Sequence, residues 1–258
     1  MNFKQVIKEH LPHNIVDTLY KIKYHQKKLS TAQKYQTLLK EQSGIEIGGP
    51  SIFFGYVVPT YQIISGLDGV NFSNHTLWED PVAGDQNYPY FADKKGRQYV
   101  AEASDLKCIE SDRYDFLLSC HCLEHVSNPL KALTEWRRIV KSGGYLFLVL
   151  PNKAYGFDHR RPTTSFEHIL EDFKNNVTEQ DLTHLDEIME LHDLSKDLEA
   201  GDFETFRARS LDNFSNRGLH HHVFDMDLIE KMLAHFDMPL IEQATTPKDL
   251  IVLAEIHK

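Results

Sequence analysis

The sequence predicts an α/β protein: a doubly wound, mostly parallel sheet of about seven strands that ends in an antiparallel pair, with N-terminal helices and a helical insertion after the fifth strand. Three observations carry this. Short apolar runs bounded by glycine or proline alternate with amphipathic stretches, a proline-started and glycine-ended helical pattern lies between two buried runs, and two strand-like runs near the C-terminus are separated by a very short connection. In order, "GIEIGGP" (44–50), "YQIISGLDG" (61–69), "RQYVAEA" (97–103), "YDFLLSC" (114–120) and "YLFLVLP" (145–151) read as five strands. Between the last two, "NPLKALTEWRRIVKSGG" repeats apolar residues at three- and four-residue intervals from Leu130 to Val140, with Pro129 near its start and Gly143 near its end. That is a helix joining two parallel strands. From Ala154 to about Gly218 the strand rhythm gives way to an acidic stretch whose periodic parts, 166–176 and 181–194, read as helices. The chain closes with a helix at 225–236 and the pair "PLIEQATT" and "DLIVLAEIH".

These elements divide 258 residues into an N-terminal helical segment (1–43), a core (44–153), the insertion (154–218) and a closing helix with its strand pair (219–258), all within one domain. No apolar run approaches the roughly 20 residues of a membrane helix, and "MNFKQVIKEH" has no apolar stretch before a cleavage site, so a cytoplasmic location away from membranes is expected. A net charge of −10 opposes nucleic-acid binding, which needs a basic face. The six lysines of residues 21–40 read as the solvated side of helices. Cys108, Cys120 and Cys122 cannot all pair and are expected to be reduced.

The motifs in this order resemble the class I S-adenosylmethionine-dependent methyltransferases of the type 11-like kind, with their Rossmann-like sheet. "EIGGPS" resembles the acid-x-Gly turn after the first strand, although Pro50 stands where another glycine is common. The resemblance implies that Glu46 receives the donor's ammonium and that Gly48 and Gly49 let backbone approach it. It places Asp68 at the ribose hydroxyls and Glu102 and Ala103 of "EASDL" beside the adenine. The segment from "YDFLLSC" to "YLFLVLPN" carries the most specific match, through its Glu-His, Asn-Pro, Ala-Leu, Glu-x-x-Arg and Gly-Gly punctuation. A nicotinamide dehydrogenase would instead show G-x-G-x-x-G after the first strand, which "GGPSIFFG" does not supply.

"SCHCLEHV" (119–126) puts His121, Glu124 and His125 at spacings that share one face of an α-helix. H-x-x-E-H is also an inverted zinc-protease signature, but here it follows a strand. With "HHHVFD" (220–225) it resembles the metal-dependent small-RNA 3′-terminal 2′-O-methyltransferases. That resemblance implies a divalent ion on His121, Glu124, His125 and His222, with Fe(II) favoured and Mn(II), Co(II) or Zn(II) admissible in an imidazole-rich set. His220 is the alternative ligand if the segment is extended. Without metal, His121 or His125 would act as general base.

The wider resemblance is to sugar O-methyltransferases of surface-polysaccharide biosynthesis. The expected partner is therefore a small molecule, a sugar or nucleotide-linked sugar, with Arg160, Arg161, Arg207, Arg209, Arg217 and His220 available to the acceptor. A non-catalytic, cofactor-binding protein of the same fold is the alternative of a different class.

Overall fold

The computed structural model describes residues 13–25, 31–73 and 87–258. The readings of "MNFKQVIKEH" and of Lys27 and Lys28 lie outside these residues. The strands are β1 (Ser43–Ile47), β2 (Gly66–Asn71), β3 (Asn87–Phe91), β4 (Lys94–Val100), β5 (Tyr114–Cys120), β6 (Val140–Pro151), β7 (Leu240–Thr245) and β8 (Asp249–Glu255). They form one sheet ordered β3-β4-β2-β1-β5-β6-β8-β7. The inner five, β4-β2-β1-β5-β6, pair in parallel, and β8 and β7 continue the sheet antiparallel. The expected five parallel strands and terminal pair are present. The eighth strand, β3, is an antiparallel edge partner of β4. Its Pro89 is tolerated because an edge strand can spare a ladder donor.

Helices α1 (His13–His25) and α2 (Ala32–Leu39) precede the sheet, and α3 (Pro129–Ile139) joins β5 to β6. Asn128 caps α3 by accepting from the Lys131 amide at 3.1 Å, and Pro129 occupies the first turn. The helix stops at Ile139, short of the expected end near Gly143, because Val140 already pairs with Tyr114.

Strand alternation sorts β5 between two cores. Leu117 joins Ile45, Ile47, Leu148 and the apolar faces of α3 and of α8 (Met226–His235) on one side. Phe116 and Leu118 join Tyr35 and Leu39 of α2, Phe53, Phe54 and Phe147 on the other. The insertion holds α4 (Phe166–Lys174), α5 (Leu185–Leu191), α6 (Phe203–Leu211) and the short α7 (Asn213–Asn216). Ile169 of α4 is part of the main core, whereas Ile188, Phe206 and Leu219 form a small core of their own. The insertion is thus anchored to the sheet by α4. Among the described residues no helix is long and apolar enough to cross a membrane.

Candidate functional site

From β1 the chain moves outward to β2 and β4, then returns to build β5 and β6 on the opposite side of β1. This reversal opens a crevice at the carboxyl ends of β1 and β5, where ligands bind in open α/β sheets. Gly48 turns the chain there with φ of 76° and is exposed. A Cβ on it would lie 2.7 Å from the Cys122 sulfur, so the turn after β1 packs directly against the turn after β5 and only glycine fits. An exposed backbone turn of this kind can take a ligand close to its amides. Gly49 is buried, and a Cβ there would meet the Glu46 carboxyl at 2.2 Å, so its part is packing.

Two of the expected donor contacts are corrected. Glu46 is fully buried, and its carboxylate accepts from the hydroxyls of Tyr61 (2.6 Å) and Tyr88 (2.8 Å) and from the Ser51 amide (3.2 Å). It braces the turn from below instead of offering an oxygen to an ammonium group. Asp68 lies in the middle of β2 opposite Ile45, where it accepts from the Arg97 amide (2.8 Å) and the Tyr114 hydroxyl (2.6 Å). The strand ends at Asn71, three residues past Asp68, because 60–63 form a turn that buries Tyr61 and delays the start of β2. The polar residue at the end of β2 is Asn71, which donates to the Gly49 carbonyl at 3.3 Å. Glu102 does stand just past the end of β4, paired at 2.5 Å with Arg217 at the end of the insertion. Arg217 also covers the Phe72 ring at 5.0 Å. Ala103 presents its carbonyl to the Trp136 indole at 3.0 Å.

Burial pushes the Glu46 carboxyl up to about 7 from 4.5, against the hydrogen bonds from the two tyrosines and Ser51. The fold therefore favours the protonated acid. Its stabilising contribution is complete below about pH 4.5 and is lost as pH rises through about 7, a change of up to about 3 kcal/mol. Glu46→Gln should flatten stability between pH 4.5 and 7. Denaturant titrations at several pH values check this, and parallel pH profiles for the two proteins would contradict it.

Past β5 the chain bends at His121, whose φ is 51°. Residues Leu123–His125 form one 3-10 turn, so the α-helical face expected for His121, Glu124 and His125 does not form. His121 is half-exposed. Its ring turns to Asp249 at 2.9 Å and stands 3.6 Å from Glu124. Burial pulls the His121 pKa down, but the Asp249 hydrogen bond and the charges of Glu124 and Asp249 outweigh it and raise the value.

Glu124 is 1% exposed, and neither carboxylate oxygen has a hydrogen-bond partner. Burial raises its pKa against the pull of His121 and His220. A buried, unsatisfied carboxylate costs free energy unless something fills the place it faces. His125 donates its Nδ1 proton to the Leu219 carbonyl at 3.0 Å, and burial holds its pKa well below the usual histidine value. His220 donates Nδ1 to Asp158 at 2.5 Å. A carbonyl and a carboxylate only accept, so each ring donates through Nδ1 and, when neutral, carries its lone pair on Nε2. The rings meet edge to face at 4.6 Å, and one ligand atom from each of Glu124, His125 and His220 lies within 4.8 Å of the others. Two imidazoles and one carboxylate fit a divalent transition ion with open positions.

His222, expected in this group, lies elsewhere. It donates to the Ser127 carbonyl at 3.1 Å and joins His168, Asp172 and His184. The backbone bond from His221 to the Glu124 carbonyl (2.8 Å) sets this register and brings His220 to the site. Asp158 carries no sequence signal of its role, since its contact with His220 spans 62 residues.

The guanidinium groups also divide. Arg161 is 1% exposed and bonds to Asp158, Glu187 and the carbonyls of His220 and His221. It holds the histidine segment in place and has no reach to an acceptor, which corrects its expected role. Arg160 is half-exposed beside Asp193, Arg209 pairs with Asp197, and Arg207 is exposed.

The family described as "Methyltransferase domain" matches residues 69–237. Among solved structures the chain is similar to an S-adenosylmethionine-dependent methyltransferase from Mesorhizobium loti, at 14% identity and a TM-score of 0.51 over 87% of this chain and 95% of that one. It is also similar to one from Aquifex aeolicus, at 12% identity and a TM-score of 0.46 over 99% of this chain and 100% of that one. At 14% identity the likeness to the Mesorhizobium loti structure is one of fold. A search of curated proteins gave no match.

Proposed function

The chain belongs to the methyltransferase-domain family, and from that premise we propose that it methylates a hydroxyl of a sugar, with S-adenosylmethionine as donor and Glu124, His125 and His220 as the groups that hold and activate the acceptor. The observation that carries this reading is the buried Glu124 carboxylate, without a hydrogen-bond partner at either oxygen, beside two histidines that each donate through Nδ1. These three residues and the Gly48 turn both belong to the crevice edge, because Cys122, against which Gly48 packs, begins the turn that carries Glu124 and His125.

A sugar hydroxyl is a poor nucleophile at neutral pH, and the donor supplies an electrophilic methyl on its sulfonium. The chain must therefore orient the hydroxyl and help remove its proton. A divalent ion bound by the three residues would lower the hydroxyl pKa and fix its direction. Fe(II), Mn(II), Co(II) or Zn(II) suit two imidazoles better than magnesium does. Vicinal hydroxyls offer a pair of oxygens to such a site, and the acidic chain disfavours RNA as carrier of that diol. With Arg161 and Arg217 committed within the protein, the support for a diphosphate carrier falls on Arg160 and Arg207, so the reading names the sugar and not its carrier.

Asp158 supports a second, metal-free reading: by holding Nδ1–H of His220 it leaves Nε2 to accept the hydroxyl proton. Excess chelator separates the two, since only the ion-assisted reaction should stop. For substrate class, labelled donor and mass spectrometry should show one methyl added to a sugar with adjacent hydroxyls. Removing the neighbouring hydroxyl should lower kcat/KM by about 100-fold, the scale of a lost bidentate contact and its left-over polar group. Equal transfer to the deoxy sugar, or preferential transfer to an amine, would overturn this reading.

A further inference from the structure

A second cluster of metal-type side chains lies apart from the three residues above. His168 and Asp172 are one turn apart on α4, His184 sits at the start of α5, and His222 lies in the extended segment that follows the insertion. One ligand atom from each lies within 4.8 Å of the others. His168 Nε2 is 3.0 Å from His184 Nε2, and 3.3 Å from Asp172 Oδ2. Tetrahedral ligands at about 2.0–2.1 Å from zinc stand about 3.3 Å apart, so these two edges are already close to the spacing a zinc ion imposes.

Two further observations point to a ligand. His222 is 1% exposed and donates Nε2–H to the Ser127 carbonyl, which leaves the lone pair on Nδ1. That nitrogen has no hydrogen-bond partner, and neither does the buried Oδ2 of Asp172, which stands 3.3 Å from His168 Nε2 and 3.7 Å from His222 Nε2. A buried acceptor nitrogen and a buried carboxylate oxygen have nothing to offer each other without a proton or a cation between them. The Ser127 carbonyl fixes the His222 ring through Nε2, and Asn128 holds the main-chain carbonyl of Asp172 at 3.0 Å.

We propose that His168, Asp172, His184 and His222 form a structural site for zinc, distinct from the Glu124–His125–His220 group. Four protein ligands close a tetrahedral site, whereas three leave a position open for chemistry. The ion would join α4, α5 and the histidine segment, which His222 ties to Ser127 in the loop after β5. His220 is two residues from His222, so the same clamp would hold His220 in register. The site stands on its own geometry and does not depend on the proposed reaction.

The test uses the full chain carrying Glu124→Gln, so that ions at the other group do not count, compared with the same chain carrying His184→Gln as well. After stripping with chelator, loading with zinc and desalting, the first should retain one zinc per chain and the second none. Zinc should raise the unfolding midpoint of the stripped Glu124→Gln chain by on the order of 10 °C. Cobalt in its place should give the intense visible bands of tetrahedral coordination. Absence of retained zinc and of a midpoint shift in the Glu124→Gln chain would overturn the proposal even if the double variant failed to fold. So would equal retention by the two chains.

Discussion

Glu124→Gln is expected to lower kcat/KM by about 100- to 10,000-fold, the range over which positioned acid–base groups act, while leaving donor affinity and fold intact. The amide keeps the shape of the side chain but loses the charge. In the wild type the carboxylate is 1% exposed, and both oxygens lack hydrogen-bond partners. The charged side chain therefore costs stability in the empty protein, and its neutral isostere should unfold at the same or a higher temperature. Activity lost with stability kept or gained distinguishes a working residue from a packing one. Calorimetry with S-adenosylhomocysteine, thermal unfolding and initial rates measure the three quantities. Loss of activity together with a lowered midpoint would mean that Glu124 only supports the turn.

Arg161→Met should act in the opposite manner, destabilising the protein by about 3–5 kcal/mol and lowering its midpoint by on the order of 10 °C. Its guanidinium satisfies Asp158, Glu187 and two backbone carbonyls, all from within the insertion and the histidine segment. Removing it leaves buried acceptors without donors. Arg161→Lys should rescue little, because an ammonium cannot serve those acceptors from one fork. His220 depends on this network through Asp158, so activity should fall with stability. Normal stability with weakened acceptor binding would restore Arg161 to a substrate-binding role.

The difference between these two residues marks how far the sequence could be read. Periodicity and punctuation locate β1, β5, β6, α3, α8 and the β7–β8 pair, because each element's apolar face is local in sequence. They miss β3, whose pairing with β4 gives the segment its strand conformation and whose Pro89 argues against one. They also start β2 too early. That shift of a few residues is enough to place Asp68 at the crevice in the reading and Asn71 there in the structure. Residue type singles out Glu124 and His125, but the α-helical face their spacing with His121 predicts does not form, because the chain adopts a left-handed bend and a 3-10 turn. The choice between His220 and His222 rests on one backbone hydrogen bond between His221 and Glu124, 97 residues apart by their numbering. Nothing local in the sequence encodes it. Arginine gives the same lesson, since residue type alone does not separate Arg161, buried among acceptors, from half-exposed Arg160.

The central claim is that the Glu124–His125–His220 group and the methyl donor act on one acceptor across the crevice between β1 and β5. A crystal structure with S-adenosylhomocysteine and a divalent cation tests it most directly. The account predicts the thioether sulfur over the Gly48 turn and facing the three side chains, with room for one hydroxyl oxygen at near-attack distance from a methyl on that sulfur. A sulfur turned away from Glu124, or separated from it by packed protein, would contradict the account.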